Sequence, residues 1–236
     1  MITYKIYGHP SRIDMARRLQ KSLNLPNTEI YLDDRPEKGY CIYTAKKAWL
    51  APLEEGETHR LALPEDMEIC NGFKDIVERI VRAHPNDIIG LFPFDYEIIV
   101  PDAFFLDNTP YIECCVLSCC GTIIPVQYIK PCFDWIYEKY HDEIADDTAI
   151  QAWARRNGVR CITTIPSTVQ HLGDNSLVTP NAPIRRTRYF QKDMDVNIDW
   201  DNPKISAARM TPKPLHEEYC VKGSDGLWRL KPKYRL

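Results

Sequence analysis

At 236 residues and 27.4 kDa, with hydrophobic residues at 44% and charged residues at 27%, the chain has room for one full α/β-sized core and at most a small appendage. A net charge of −3 and a pI near 6.1 weigh against a general nucleic-acid binder, and no run of about 18 apolar residues offers a membrane span. Nine cysteines, an odd number lying mainly inside apolar runs, read as reduced and buried thiols, and the N-terminus enters a strand pattern without a signal peptide, so the expected location is cytoplasmic.

Residues 2 to 7, ITYKIY, alternate with period 2 and predict a strand, followed by Gly8-His9-Pro10-Ser11-Arg12 and a helix over about 14 to 23 with Met15, Leu19, Ser22 and Leu23 on one face. A second strand over 29 to 32 ends in Asp33-Asp34-Arg35. This strand-loop-helix-strand opening is the first half of a nucleotide-binding α/β unit. The sequence holds neither GxGxxG nor GxxxxGK[ST], which disfavours dinucleotide-dehydrogenase and P-loop readings. A helix around 44 to 53, carrying Lys46, Lys47 and Trp49, then leads to HRLALPEDMEIC over 59 to 70.

Within that stretch Leu61, Ala62 and Leu63 read as the end of a buried strand, and Glu65, Asp66 and Glu68 follow at once. Acids at the carboxyl end of a strand in an open α/β sheet can hold a divalent cation and, through it, a phosphate; the plainer reading is a solvated turn capping the next helix. That helix is expected over 73 to 83, because Phe73, Ile76, Val77, Ile80 and Val81 form a continuous apolar stripe. Asn71 is its expected N-cap and His84-Pro85 its end.

Further on, 88 to 92 and 97 to 100 read as short strands, as do 111 to 117 and 122 to 126 on either side of Gly121. The cysteines of CCVLSCC, at 114, 115, 119 and 120, stand in this strand-like run, where neighbours point to opposite faces, so a zinc site is disfavoured. Phe133, Ile136, Tyr137 and Tyr140 mark a helix, and Asp146-Asp147-Thr148 cap another that runs from 149 to 157 before Gly158. A strand over 159 to 165 precedes the loop PSTVQHLGDNSLV. Beyond 178 the chain is rich in Pro, Asn and charges, and residues 204 to 236 hold eight Lys or Arg against three acids. With Trp228 and Tyr234 this basic segment is a candidate surface for an acidic acceptor, nucleic acid included, against the commoner reading of a solvated face.

Taken in order, HPSR, the strand ending in Asp33-Asp34, KKAW, THRLALPED, DDTAIQAWARRNG and IPSTVQHLGDNSL resemble GT-A-fold glycosyltransferases, especially phage and bacterial members near the lipooligosaccharide and collagen-galactose transferase type. The resemblance covers about 2 to 178 and implies an α/β fold with a GT-A-like, mostly parallel central sheet flanked by helices, followed by a C-terminal extension over 179 to 236. It implies that Asp66, with Glu65 as the other half of the acid pair, ligates Mn²⁺ or Mg²⁺ bridging the donor diphosphate. Glu65 stands where Asp is more usual, and Glu68 is a substitute. Asp33 or Asp34 would receive the base or ribose of the donor, and Arg12, Lys46 and Lys47 would contact diphosphate or base. His9, in HPSR, joins this donor side, although by its own chemistry it reads as structural, as do His59, His84, His141 and His216. Asp146 and Asp147 resemble the paired acids at a helix start, with Asp147 favoured as general base of an inverting transfer. His171 would be a further metal ligand on a loop that closes over the phosphates.

The activity implied is metal-dependent transfer of a sugar from a nucleotide-sugar, expected to be a UDP-sugar, to the hydroxyl of a glycan or other acceptor. Two other readings stay open: a non-catalytic nucleotide-sugar-binding or interaction protein on the same fold, and a metal-dependent nuclease. The nuclease ranks last for want of an E/D-x-K pairing.

Overall fold

The structure, a computed structural model, describes residues 1–25, 28–35, 41–93, 109–113, 117–141, 145–173, 177, 186–187, 189–194, 197–206, 220–222 and 228–230. Its centre is a seven-stranded sheet, built from β1 (Ile2–Gly8), β2 (Glu29–Leu32), β3 (His59–Pro64), β5 (Ile88–Gly90), β6 (Tyr111–Glu113), β7 (Thr122–Pro125) and β8 (Cys161–Thr164). The order across the sheet is β2-β1-β3-β7-β5-β8-β6. The β1 pairings with β2 and β3, and the β5 pairing with β8, are parallel; β7 and β6 run against their neighbours. The chain is therefore an α/β protein with a mixed, largely parallel sheet, and β1, β2, β3, β5 and β8 all present their carboxyl ends at one edge.

Five α-helices are present among the described residues: α1 (Ile13–Leu23), α2 (Cys41–Trp49), α3 (Phe73–Ala83), α4 (Val126–Tyr140) and α5 (Asp146–Arg156). They cover both faces of the sheet. On one face α1 and α3 bury Leu19, Leu23, Phe73, Val77 and Ile80 against Ile6, Leu61, Leu63 and Ile123. On the other, α2, α4 and α5 bury Ile42, Trp49, Phe133, Ile150 and Trp153 against Ala62, Ile88 and Ile124. Burial of each such large side chain is worth roughly 1.5–3 kcal/mol, and the apolar stripe of α3 delivers it on five residues of eleven.

Several boundaries differ from the sequence expectations. The α3 helix begins after Gly72, whose φ of 69° marks a left-handed entry, while the Asn71 side chain bonds to Asp193 rather than capping. Asp146 and Asp147 are the first two residues of α5 and not caps ahead of it. The second lysine-bearing helix, α2, stops at Trp49, where Arg60 collects the terminal carbonyls of Ala48, Trp49 and Ala51. The strand expected over 97 to 100, Cys114, Cys115, Ser176 and most of the basic C-terminal segment lie outside the described residues. Beyond 178, described residues of 197–206 return to the same core: Trp200 is buried, Tyr111 donates its hydroxyl hydrogen to the Trp200 carbonyl, and Ser206 bridges to Ile112.

Candidate functional site

The acid pair does not sit at a direct strand-to-helix corner. Glu65 and Asp66 form the turn between β3 and a three-residue strand, β4 (Met67–Ile69), which pairs antiparallel with β9 (Val169–His171). The register sets Met67 opposite His171, so the last residue of β9 arrives beside Asp66. His171 Nε2 stands 3.2 Å from Asp66 Oδ2, and Arg12 Nη1 reaches the same oxygen at 2.6 Å. Glu65 Oε1 lies 3.5 Å from Arg12 Nη1. Arg12 is delivered by the 3₁₀ turn Pro10–Arg12, whose N-cap is His9: its Nδ1 accepts the Ser11 N–H at 3.1 Å.

Two glycines allow this closeness. A Cβ on Gly173 would stand 2.5 Å from Asp66 Oδ2 and 2.9 Å from His171 Cε1, and one on Gly8 would strike the Glu65 carboxylate. Leu172 N–H donates to the Asp66 carbonyl at 2.7 Å, which fastens the loop after β9 to the acid turn.

Both acids are buried, with opposite consequences. Burial and then the Asp66 charge push the Glu65 carboxyl up to about 7, against the pull of Arg12. Burial also acts to raise Asp66, but the His171 hydrogen bond and charge and the Arg12 charge overcome it and leave that carboxyl below its ordinary range.

The second acid pair lies at the same sheet edge. Asp146 is buried and takes a hydrogen bond from the Tyr7 hydroxyl at 3.3 Å; Asp147 is half-buried and accepts the Cys119 N–H at 3.1 Å and the Thr148 N–H at 2.6 Å. Burial and the Asp147 charge raise the Asp146 carboxyl to about 7. The bend Ser118–Gly121, which enters β7, links the two halves. Cys119 feels the charges of Asp146 and Asp147, and Cys120 those of His171 and Asp66.

The remaining donor-side candidates form a separate group on β2 and α2. Asp33 N–H donates to the Gly8 carbonyl at 2.9 Å and its carboxylate accepts the Arg35 N–H at 2.8 Å, closing a turn beside the acid site. Asp34 pairs with Lys47 at 2.8 Å, and Tyr43 lies between Arg35 and Lys47, with the Arg35 guanidinium 3.1 Å from its ring centroid. Lys46 turns instead to the Tyr137 ring on α4. Glu68 faces Lys192 at 3.0 Å, away from the role of substitute ligand. Sequence reasoning missed Tyr7, Gly8 and the Cys119-Cys120 pair; alternation along β1 sets Tyr7 on the face of Thr3 and Lys5, a face the structure buries as well.

Asp66 and His171 suit a shared divalent cation in one respect. Their 3.2 Å separation is close to the roughly 3 Å expected between neighbouring ligands on an octahedral ion with bonds of about 2.1 Å. Among the described residues no group of three or more His, Cys, Asp and Glu side chains is arranged to hold a metal. Two protein donors are the pattern of Mg²⁺ sites that substrate phosphates and waters complete, rather than of an all-protein cage.

No protein-family model matches the chain, and no curated protein matches it in sequence.

A pH dependence follows from the raised carboxyls. Asp146 holds its proton more tightly folded than unfolded, so its contribution is most favourable below the ordinary carboxylate range of about 4 and becomes a cost as pH rises to about 7. Asp66 acts in the opposite sense, losing its stabilisation only as pH falls below its ordinary 3.8. Asp146→Asn should therefore gain stability relative to wild type between about pH 4 and 8, by an amount on the order of 1–4 kcal/mol at the upper end. Urea unfolding at both ends of that range checks it; a difference that does not grow with pH contradicts the assignment.

Proposed function

We propose that the chain is a divalent-cation-dependent glycosyltransferase of the GT-A type, which moves a sugar from a nucleotide-sugar, a UDP-sugar by expectation, to a hydroxyl acceptor with inversion. The observation that carries this reading is the convergence of Glu65-Asp66, His171 and Asp146-Asp147, from three distant stretches of sequence, on one edge of the sheet. This is the edge where open α/β sheets bind ligands. Of the stretches that resemble the family, THRLALPED, DDTAIQAWARRNG and IPSTVQHLGDNSL meet here, with Arg12 of HPSR beside them.

In this reading Asp66 and His171 would hold Mn²⁺ or Mg²⁺, which would supply Lewis-acid neutralisation of diphosphate charge. Arg12, ion-paired to Asp66 without ligand, is placed to turn its guanidinium onto a phosphate, since a planar fork fits phosphate oxygens as well as it fits carboxylate. Glu65, with a carboxyl that titrates near 7, adjusts the charge of the cluster by releasing its proton. The Asp33 turn and the Arg35–Tyr43 stack offer a polar group and an aromatic face for ribose and base. Asp147, reached from solvent and oriented by the Cys119 N–H, accepts the proton of the acceptor hydroxyl.

A screen of nucleotide-sugars with the purified chain tests this without an acceptor in hand. Slow donor hydrolysis that needs Mn²⁺ or Mg²⁺ and selects one nucleotide is expected. Equal background release with and without the cation, for every donor, counts against the reading.

A further inference from the structure

Tyr7 is the last residue but one of β1, and its side chain is buried in the core cluster that contains Ile42, Ala62 and Ile124. The core holds the ring, while the hydroxyl ends among polar groups of two other elements. Its oxygen stands 3.3 Å from Asp146 Oδ2 at the start of α5 and 3.3 Å from the carbonyl oxygen of Cys119 in the bend before β7. One hydrogen divided between two acceptors gives arms of this length, each longer than an ordinary O–H···O bond of about 2.7–2.8 Å. The hydroxyl thus joins α5 to the bend.

On its other side the bend meets the second acid. The Cys119 N–H donates to Asp147 Oδ2 at 3.1 Å, and the Thr148 N–H and hydroxyl donate to Asp147 Oδ1 at 2.6 and 3.2 Å. Two peptide units flank the Cys119 Cα: Tyr7 fixes the carbonyl of one, and the N–H of the other fixes Asp147. Within the bend the Cys120 N–H donates to Ser118 Oγ at 3.1 Å, and the Thr122 hydroxyl donates to the Ser118 carbonyl at 3.1 Å. Those two bonds are local, whereas the Tyr7 contact ties the Cys119 carbonyl to a distant strand.

We propose that Tyr7 is a positioning residue for Asp147, acting through the Cys119 backbone: its hydroxyl holds the bend at the angle from which the Cys119 N–H meets that carboxylate. Without the hydroxyl the Cys119 carbonyl loses a donor, and the bend gains freedom to turn about the Cys119 Cα. Asp147 is then steadied by the Thr148 groups, which belong to the same turn of α5 and do not fix it against the sheet. A base that swings is less often aligned with an acceptor hydroxyl, and misplacement on the scale of about 1 Å is costly to rate. The consequence for transfer rests on the function proposed above; the hold on the bend does not.

Tyr7→Phe keeps the ring, removes one oxygen and tests both parts on the full chain. Amide exchange needs no substrate: at Cys119 it should rise about two- to tenfold, the equivalent of one lost hydrogen bond, while Ile80 in α3 exchanges as in wild type. An unchanged Cys119 amide, or an equal rise at Ile80, would overturn the hold. In donor turnover kcat should fall about tenfold with the donor KM unchanged, short of the roughly 10²-fold that a full misplacement costs. In the Asp147→Asn background the same substitution should cost nothing further, because a residue that acts only through Asp147 has nothing left to position. Equal falls of kcat in both backgrounds, or a change in KM alone, would overturn the positioning role. If the wild-type chain turns over no donor, the glycosyltransferase reading and the role in transfer fall together, while a raised Cys119 exchange in Tyr7→Phe still establishes the hold, so the two failures are told apart.

Discussion

Asp147→Asn is expected to leave nucleotide-sugar affinity nearly intact and to lower turnover by about 10²- to 10⁴-fold, the usual contribution of a general base. Asn keeps the shape of the side chain and one oxygen to accept the Cys119 N–H, so the bend and the start of α5 should survive. It cannot take a proton from an attacking hydroxyl. Steady-state kinetics under saturating donor separate the roles of the pair: the same substitution at Asp146, enclosed and bonded to Tyr7, should cost less turnover than at Asp147. If Asp146→Asn carries the loss and Asp147→Asn does not, the neighbour is the base. A product that keeps the anomeric configuration of the donor would remove the inverting mechanism altogether.

Asp66→Ala should abolish the stabilisation that a nucleoside diphosphate and Mn²⁺ confer together. A wild-type protein with ligand at about 100 times its Kd gains about 2.7 kcal/mol, a shift of several degrees in melting temperature, and the variant should gain nothing measurable. Arg12 retains Glu65 at 3.5 Å, and Glu65, relieved of the adjacent charge, ionises more readily, so the unliganded variant should still fold. Glu68→Ala, which loses only the Lys192 pair on β4, serves as the control and should respond as wild type does. Equal responses of Asp66→Ala and Glu68→Ala would remove Asp66 from the cation site.

The local features of the fold were legible because their signals are local. The α3 stripe, the period-2 strand β1 and the acids at the end of β3 each stand in a few consecutive residues, and the structure has them where the sequence puts them. What stayed hidden depends on partners far along the chain. Nothing near Glu65 announces that a three-residue strand follows and pairs with β9, yet that pairing carries His171 to Asp66. The insertion of β7 between β3 and β5 is equally non-local, and it makes a bend of the Cys119-Cys120 stretch that composition alone presents as strand.

Two features of the fold run against simple propensity. Pro131 suggests a break, yet α4 runs through it from Val126 to Tyr140, because burial of Ile129, Cys132, Phe133 and Ile136 outweighs one lost hydrogen bond. Arg60 reads as a polar residue at the start of a strand, but it is wholly buried and bonds to Glu57 through two nitrogens while it caps α2. A charged residue is hidden at that depth only when every donor has a partner, and those partners come from another element.

The central claim, that the carboxyl edge of this sheet is a cation-dependent site for a nucleoside diphosphate, is tested most directly by calorimetry on the unaltered chain. UDP and GDP are titrated into it with and without Mn²⁺. Saturable binding of one of them that appears only with the cation, and that strengthens as pH rises from about 5.5 to 7.5 while Glu65 releases its proton, is the result expected. Binding of equal affinity in the presence of a chelator, or no binding of either nucleotide with Mn²⁺ at millimolar concentration, would contradict it.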